Sequence, residues 1–95
     1  MTGNARPKVH IENERVIVTE WRFSPGASTG WHRHRHDYVV VPLGDGKLRL
    51  VEPGGGTRQV DLKHGVPYFR RAGVEHDVIN ANDFEYAFIE IEIKG

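Results

Sequence analysis

Three histidines occupy alternate positions, His32, His34 and His36, in the stretch GWHRHRHDYVVVPLGDG that runs from Gly30 to Gly46. Imidazole suits zinc, iron, nickel, copper or manganese better than magnesium or calcium. Along a strand, side chains two apart project from the same side. His32 and His34 therefore point together, close enough to fill two neighbouring positions on one metal ion. The spacing also has a plainer reading, two exposed and solvated imidazoles, and His-x-His arises by chance. His36 shares their parity only if the strand stays straight. The charged run RHRHD suggests a bend or bulge there, which leaves His36 near a pocket mouth or in water. His10 and His64 have no partners by spacing and are expected at the surface.

The elements that must position these side chains all read as extended. ERVIVTEWRF, Glu14 to Phe23, is rich in β-branched and aromatic residues. STGWHRH is extended and ends near His34, and YVVVPL, Tyr38 to Leu43, is a strand with Pro42 at its end. Gly44-Asp45-Gly46 is a hairpin signal. KLRLVE alternates apolar and charged residues, so one face is buried and the other wet. The run Pro53 to Gly56 turns the chain into TRQVDL, KHG turns it again, and VPYFRR, EHDVIN and FEYAFIEIEI complete the set. ANDF is a turn by its Asn and Asp chemistry; Asn80 either orients a neighbour by hydrogen bonding or, as the simpler reading, starts the NAND turn. Residues 1–8 form an extended or frayed lead-in. No window sustains a helical period. Short strands with turn signals every ~8–12 residues predict an all-β sandwich or barrel of eight or nine strands.

The 95 residues amount to one domain spanning 1–95, with a limited core of its own. Thirteen basic side chains balance thirteen acidic ones, so no electrostatic footprint for nucleic acid is present. Without cysteine, disulfides and thiolate metal sites are excluded. No apolar core of a signal peptide opens the chain, and no apolar run approaches the ~20 residues that span a bilayer. A cytoplasmic protein with no membrane partner is the expectation. Apolar residues on both parities of YAFIEI imply burial on both faces near Phe88, which a second subunit would supply as a homodimer. Trp31 should face away from His32. Trp21, Phe84, Tyr86 and Phe88 are read as core or interface aromatics.

Two stretches together resemble the paired motifs of the cupin superfamily. Gly26, five residues, then His32-Arg33-His34 match the start of the first motif. Gly65, five residues, Arg71-Ala72-Gly73, two residues, His76, three residues and Asn80 match the second, with Arg71 where the motif has proline. The resemblance covers Val16 to Ile93. It implies a small jelly-roll barrel and assigns His32, His34 and His76 as ligands of one divalent transition metal, whether iron, manganese, nickel or zinc. Within the superfamily these stretches look similar to a group of small bacterial cupins, some of them labelled beta-alanine degradation proteins.

The departure from the motif lies at Tyr38, where the family has a glutamate. A phenol, with a pKa near ~10, is a poor ligand unless the metal deprotonates it. A neutral three-histidine site leaves positions open for water, dioxygen or an anionic chelating substrate. Tyr38 then either donates a hydrogen bond to what occupies them, as a catalytic acid, or is a core aromatic. In the family the positions of Tyr68 and Arg70 face inward. On that parity Arg70 would grip a substrate carboxylate beside Tyr68; with the strand rotated, Phe69 would be inside instead. The implied function is a metal-dependent enzyme, oxygenase-like or an isomerase or lyase, on a small carboxylate or amino-acid catabolite. A non-catalytic metabolite- or metal-binding module, or a metal-free structural relic, are the other readings.

Overall fold

The computed structural model describes residues 3–95. Nine strands and no helix make up the regular structure among these residues: β1 (Arg6–Glu12), β2 (Val16–Phe23), β3 (His32–Arg33), β4 (Asp37–Pro42), β5 (Gly46–Val51), β6 (Thr57–Leu62), β7 (Tyr68–Arg70), β8 (Glu75–Asn80) and β9 (Tyr86–Ile93). They form two antiparallel sheets, ordered β1-β2-β9-β4-β7 and β3-β8-β5-β6. This is the jelly roll that the cupin resemblance implies, and it fits the all-β sandwich or barrel of eight or nine strands read from the strand pattern.

The lead-in gains a strand, and one turn expectation is corrected. Of the lead-in, Met1 and Thr2 lie outside the described residues. Further along, an additional strand β1 begins at Arg6 and pairs with β2. Its exposed, mixed composition hides it from a pattern search, and a register shift between Val9 and Ile11 breaks its alternation. Asn13 closes the β1–β2 turn by accepting hydrogen bonds from the backbone N–H groups of Arg15 and Val16, at 2.8 and 2.9 Å. Gly44-Asp45-Gly46, in turn, does not close a hairpin: β4 and β5 lie in different sheets. The segment is a corner, pinned by the Tyr86 hydroxyl donating to the Gly44 carbonyl at 2.7 Å and by His64 N–H donating to Asp45 at 2.9 Å.

The core fills the space between the sheets. Phe23 and Phe88 pack at 5.4 Å between ring centroids, with Leu48, Leu50, Val78 and Tyr86 around them. Asn80 is buried among these groups and does more than start a turn. Its amide donates to the carbonyls of Phe23, Ser24 and Phe84, and its oxygen accepts from Asn82 N–H. It thereby ties the end of β2 to the β8–β9 connection. Trp21 is half-buried and Tyr86 and Phe88 are core, but Phe84 is 48% exposed, because it sits on the ANDF turn rather than in β9. Trp31 is 53% exposed and lies outside the pocket that His32 lines.

The polarity of β9 is inverted relative to a simple amphipathic strand. Its partners place Phe88 opposite Trp21 and Glu90 opposite Thr19 and Val40, all on the inner face. Ile89, Ile91 and Ile93 therefore point outward. Ile91 lies between Val18 and Val39 in this outer row, which continues to Ile11 at one end and Phe69 at the other.

Candidate metal centre

His32 and His76 are directly opposed in the β3–β8 pairing, so both rings leave the sheet on one face. His34 lies just beyond β3 and stays locked to the β8 side. Its N–H donates to the Val74 carbonyl at 2.9 Å, and its carbonyl accepts from Gly73 N–H at 2.8 Å. The motif glycines Gly26, Gly65 and Gly73 have φ of 77°, 73° and 98°, conformations that a side chain would strain. Glycine at these positions lets the chain turn toward β3, β7 and β8, which carry His32, Arg70 and His76.

The three rings converge through one nitrogen each. His34 Nε2 is 3.0 Å from His32 Nε2 and 3.1 Å from His76 Nε2. The ring planes stand steeply to one another, at 77°, 68° and 86°. Two nitrogens held at right angles ~2.1 Å from an ion are ~3.0 Å apart, so the His32–His34 and His34–His76 pairs each fit adjacent positions on one cation, and all three ligand atoms lie within 4.8 Å of one another. The orientation of His32 is fixed by its Nδ1, which donates to the Gly30 carbonyl at 2.9 Å and leaves the Nε2 lone pair facing inward. Burial, then the neighbouring His32, depresses His34 to about 3; burial, His32 and Arg70 depress His76 to about 4. Both are neutral at pH 7 and ready to ligate. His36 is half-buried at the bend before β4 and is outside this cluster. His64 is exposed, and His10, also exposed, is 2.9 Å from Glu20.

The cluster opens into a cavity of about 60 Å3. Leu48, Leu50 and Val78 form an apolar wall on one side, and Val40 and Phe88 on the other. Tyr38, Tyr68, Arg70, Trp21 and Glu90 supply the polar lining. Strand parity explains this set: Tyr38 opposes Arg70, and Val40 opposes Tyr68. Phe69 points outward and is 53% exposed, so the rotated alternative for β7 does not occur. The Arg70 guanidinium lies 5.4 Å from the Tyr68 ring centroid, a cation–π contact that holds it over the cavity wall. Tyr38 is buried and its phenol titrates well above the usual tyrosine range, through burial first and then the Glu90 charge. Burial likewise raises Tyr68.

Sequence reasoning missed Glu90. It is 8% exposed, inside the cavity, and its carboxyl is pushed up to about 7 by burial and then by Glu92. The Trp21 indole N–H lies beside it and holds that value down, yet stands outside hydrogen-bonding geometry. The register of β9 against β2 was the signal that would have found it.

Two antiparallel sheets enclosing three convergent imidazoles at one end of the core define a cupin. No protein-family model matches the chain. The chain is 61% identical over 90 residues to the beta-alanine degradation protein BauB of Pseudomonas aeruginosa PAO1, a match covering 95% of this chain and 94% of that protein. A crystal structure of a cupin domain from Bordetella pertussis Tohama I superposes with a TM-score of 0.96 at 56% identity, covering 100% of this chain and 98% of the other. A cupin superfamily protein of Desulfitobacterium hafniense DCB-2 shares the fold alone, with a TM-score of 0.75 at 14% identity over 100% of this chain and 82% of that one. The chain belongs to the cupin superfamily, as a small bacterial cupin resembling the beta-alanine degradation group.

Proposed function

We propose that the protein is a metal-dependent enzyme acting on a small carboxylate or amino-acid catabolite. The ligands are His32, His34 and His76, and the ion is one divalent transition metal among iron, manganese, nickel and zinc. The observation that carries this reading is the convergence of three Nε2 atoms at 3.0 and 3.1 Å on a cavity that an arginine lines. The name of the BauB relative, a beta-alanine degradation protein, is consistent with a substrate of this kind.

A metal held there supplies a Lewis acid or, for the redox-active ions, oxygenase-like chemistry. Arg70 binds the substrate carboxylate through two parallel N–H groups, and Tyr68 holds the guanidinium in place. Tyr38 remains protonated because burial raises its pKa, and so acts as a hydrogen-bond donor toward the open side of the ligand set. The apolar walls keep bulk water from the bound group, which strengthens each of these contacts.

The test is elemental analysis of protein made without a histidine tag, followed by calorimetry with short carboxylates. One equivalent of metal, lost in His34→Ala, and carboxylate binding, lost in Arg70→Ala, are the expected results. Metal-free protein, or full metal content in His34→Ala, would overturn the ligand assignment. Saturable binding without turnover for a panel of amino acids and carboxylates would make the protein a binding module.

The outer row Ile11, Val18, Ile91, Val39 and Phe69 supports a homodimer in this reading. Ile11 and Phe69 are 51% and 53% exposed, and a second copy meeting this face would cover them.

A further inference from the structure

The cavity holds two opposite charges that do not meet. Arg70 reaches it from β7 and Glu90 from β9, with β4 between these strands. Two strand spacings put the β7 and β9 backbones ~9–10 Å apart. Among the described residues neither side chain takes part in an ion pair. Arg70 is half-buried, whereas Glu90 is nine-tenths buried and faces Thr19, Val40 and the Trp21 indole. A carboxylate in such surroundings is costly unless a cation or a donor joins it. Glu92, the nearest charge on its own strand, repels it.

We propose that Glu90 is the subsite for a substrate ammonium group, so that the pocket selects a short amino acid over a plain carboxylate. The proposal rests on the assignment of Arg70 to the substrate carboxylate. With that end fixed at β7, the other end of a short molecule lies toward β9. An ammonium there restores the missing partner of Glu90 inside an apolar enclosure, where an ion pair is stronger than in water. The cavity is small, about 60 Å3, which favours a short amino acid over a long or aromatic one.

The experiment is calorimetry at pH 8, where Glu90 is ionised, with β-alanine and propanoate as paired probes on tag-free protein. The parent is expected to bind β-alanine about tenfold or more tighter than propanoate. Glu90→Gln is expected to erase that preference by weakening β-alanine binding, with propanoate bound as well as or better than by the parent, since a like charge is removed. Glu90→Asp, which keeps the charge, should retain part of it. Melting of Glu90→Gln at or above the parent temperature shows that the variant is folded. An unchanged preference in Glu90→Gln, or no preference in the parent, would overturn the ammonium subsite. Arg70→Ala separates the two readings. If it spares propanoate, the carboxylate assignment fails while the amine preference is judged on Glu90 alone. Failure of both probes to bind the parent overturns both.

Discussion

The phenol ring of Tyr38 lies face-on against the imidazole of His34, with centroids 3.9 Å apart and planes 18° from parallel. The residue that stands where the cupin motif has a glutamate thus supports, through its face, the ring of one of the three proposed ligands. Its hydroxyl is a separate asset. Tyr38→Phe keeps the stack and is expected to keep metal content and stability, with activity reduced ~10–100-fold if the hydroxyl donates in catalysis. Tyr38→Ala removes the ring and is expected to cost ~3–5 kcal/mol of stability, together with metal affinity. Chemical denaturation and elemental analysis of the two variants check this. Equal metal loss in both would show that the stack is not what steadies His34.

Chelation gives a thermal readout. An ion held at one hundred times its Kd stabilises the folded chain by ~2.7 kcal/mol. For a domain of this size that corresponds to a melting shift on the order of 10 °C. Addition of EDTA to metal-loaded protein is expected to lower the melting temperature by that order. The same addition should leave His76→Ala unmoved, since its third ligand is gone.

Glu90 predicts a pH effect on stability. Its folded-state pKa is raised from 4.5 to about 7, so folding favours the protonated carboxyl. The resulting stability is full below pH 4.5 and is lost as pH rises through 7. At 1.36 kcal/mol per unit the loss is ~3 kcal/mol by pH 8. His34 and His76 act in the opposite sense. Their depressed values give stability present above pH 6.5 and lost as pH falls toward about 4 and then about 3. The difference between parent and Glu90→Gln isolates the carboxyl. Urea unfolding of metal-free protein at pH 5 and pH 8 should show the variant gaining on the parent as pH rises. A constant difference would contradict the assignment.

Asn80→Ala should destabilise more than its small volume change suggests. It removes the donor to the carbonyls of Phe23, Ser24 and Phe84, all near the buried end of the sandwich. At ~1–3 kcal/mol for each buried group left without a partner, a loss of ~3 kcal/mol is expected. Asn80→Asp should also fail, because a carboxylate cannot donate to three carbonyls. Denaturant midpoints of the two variants provide the measurement.

The outer row of β9 predicts the oligomeric state. Ile91→Lys puts a charge at the centre of the apolar stripe and is expected to convert a dimer into a monomer, with the metal centre intact on the other face of the sheet. Light scattering of parent and variant decides this. A monomeric parent would remove the homodimer from the reading.

Much of the fold was legible because strand signals are local. TRQVDL and EHDVIN coincide with β6 and β8, and the parity of His32 and His34 is a property of a few residues. His76 needed the second motif, since nothing local ties it to His32 across 44 positions; their cross-strand pairing does so in space. What stayed hidden depended on partners. In IEIEI the usual alternation rule sends isoleucine inward, yet the neighbours Trp21, Thr19 and Val40 place Glu90 there. Gly44-Asp45-Gly46 carries the chemistry of a tight turn, but whether a turn joins paired strands or crosses between sheets is decided by distant pairing. β1 buries none of its residues, and its two apolar side chains, Val9 and Ile11, are split by a register shift, so composition does not reveal it.

The position of β9 bears on how the chain acquires its shape. This strand is inserted between β2 and β4, whose partners lie about 70 and 50 residues earlier in the chain. Until residues 86–93 arrive, β2 and β4 each present an open edge with unpaired backbone groups. A chain truncated ahead of Tyr86 should therefore associate through those edges, and refolding of the whole chain should be slow for its length, because its decisive contacts close its longest loops.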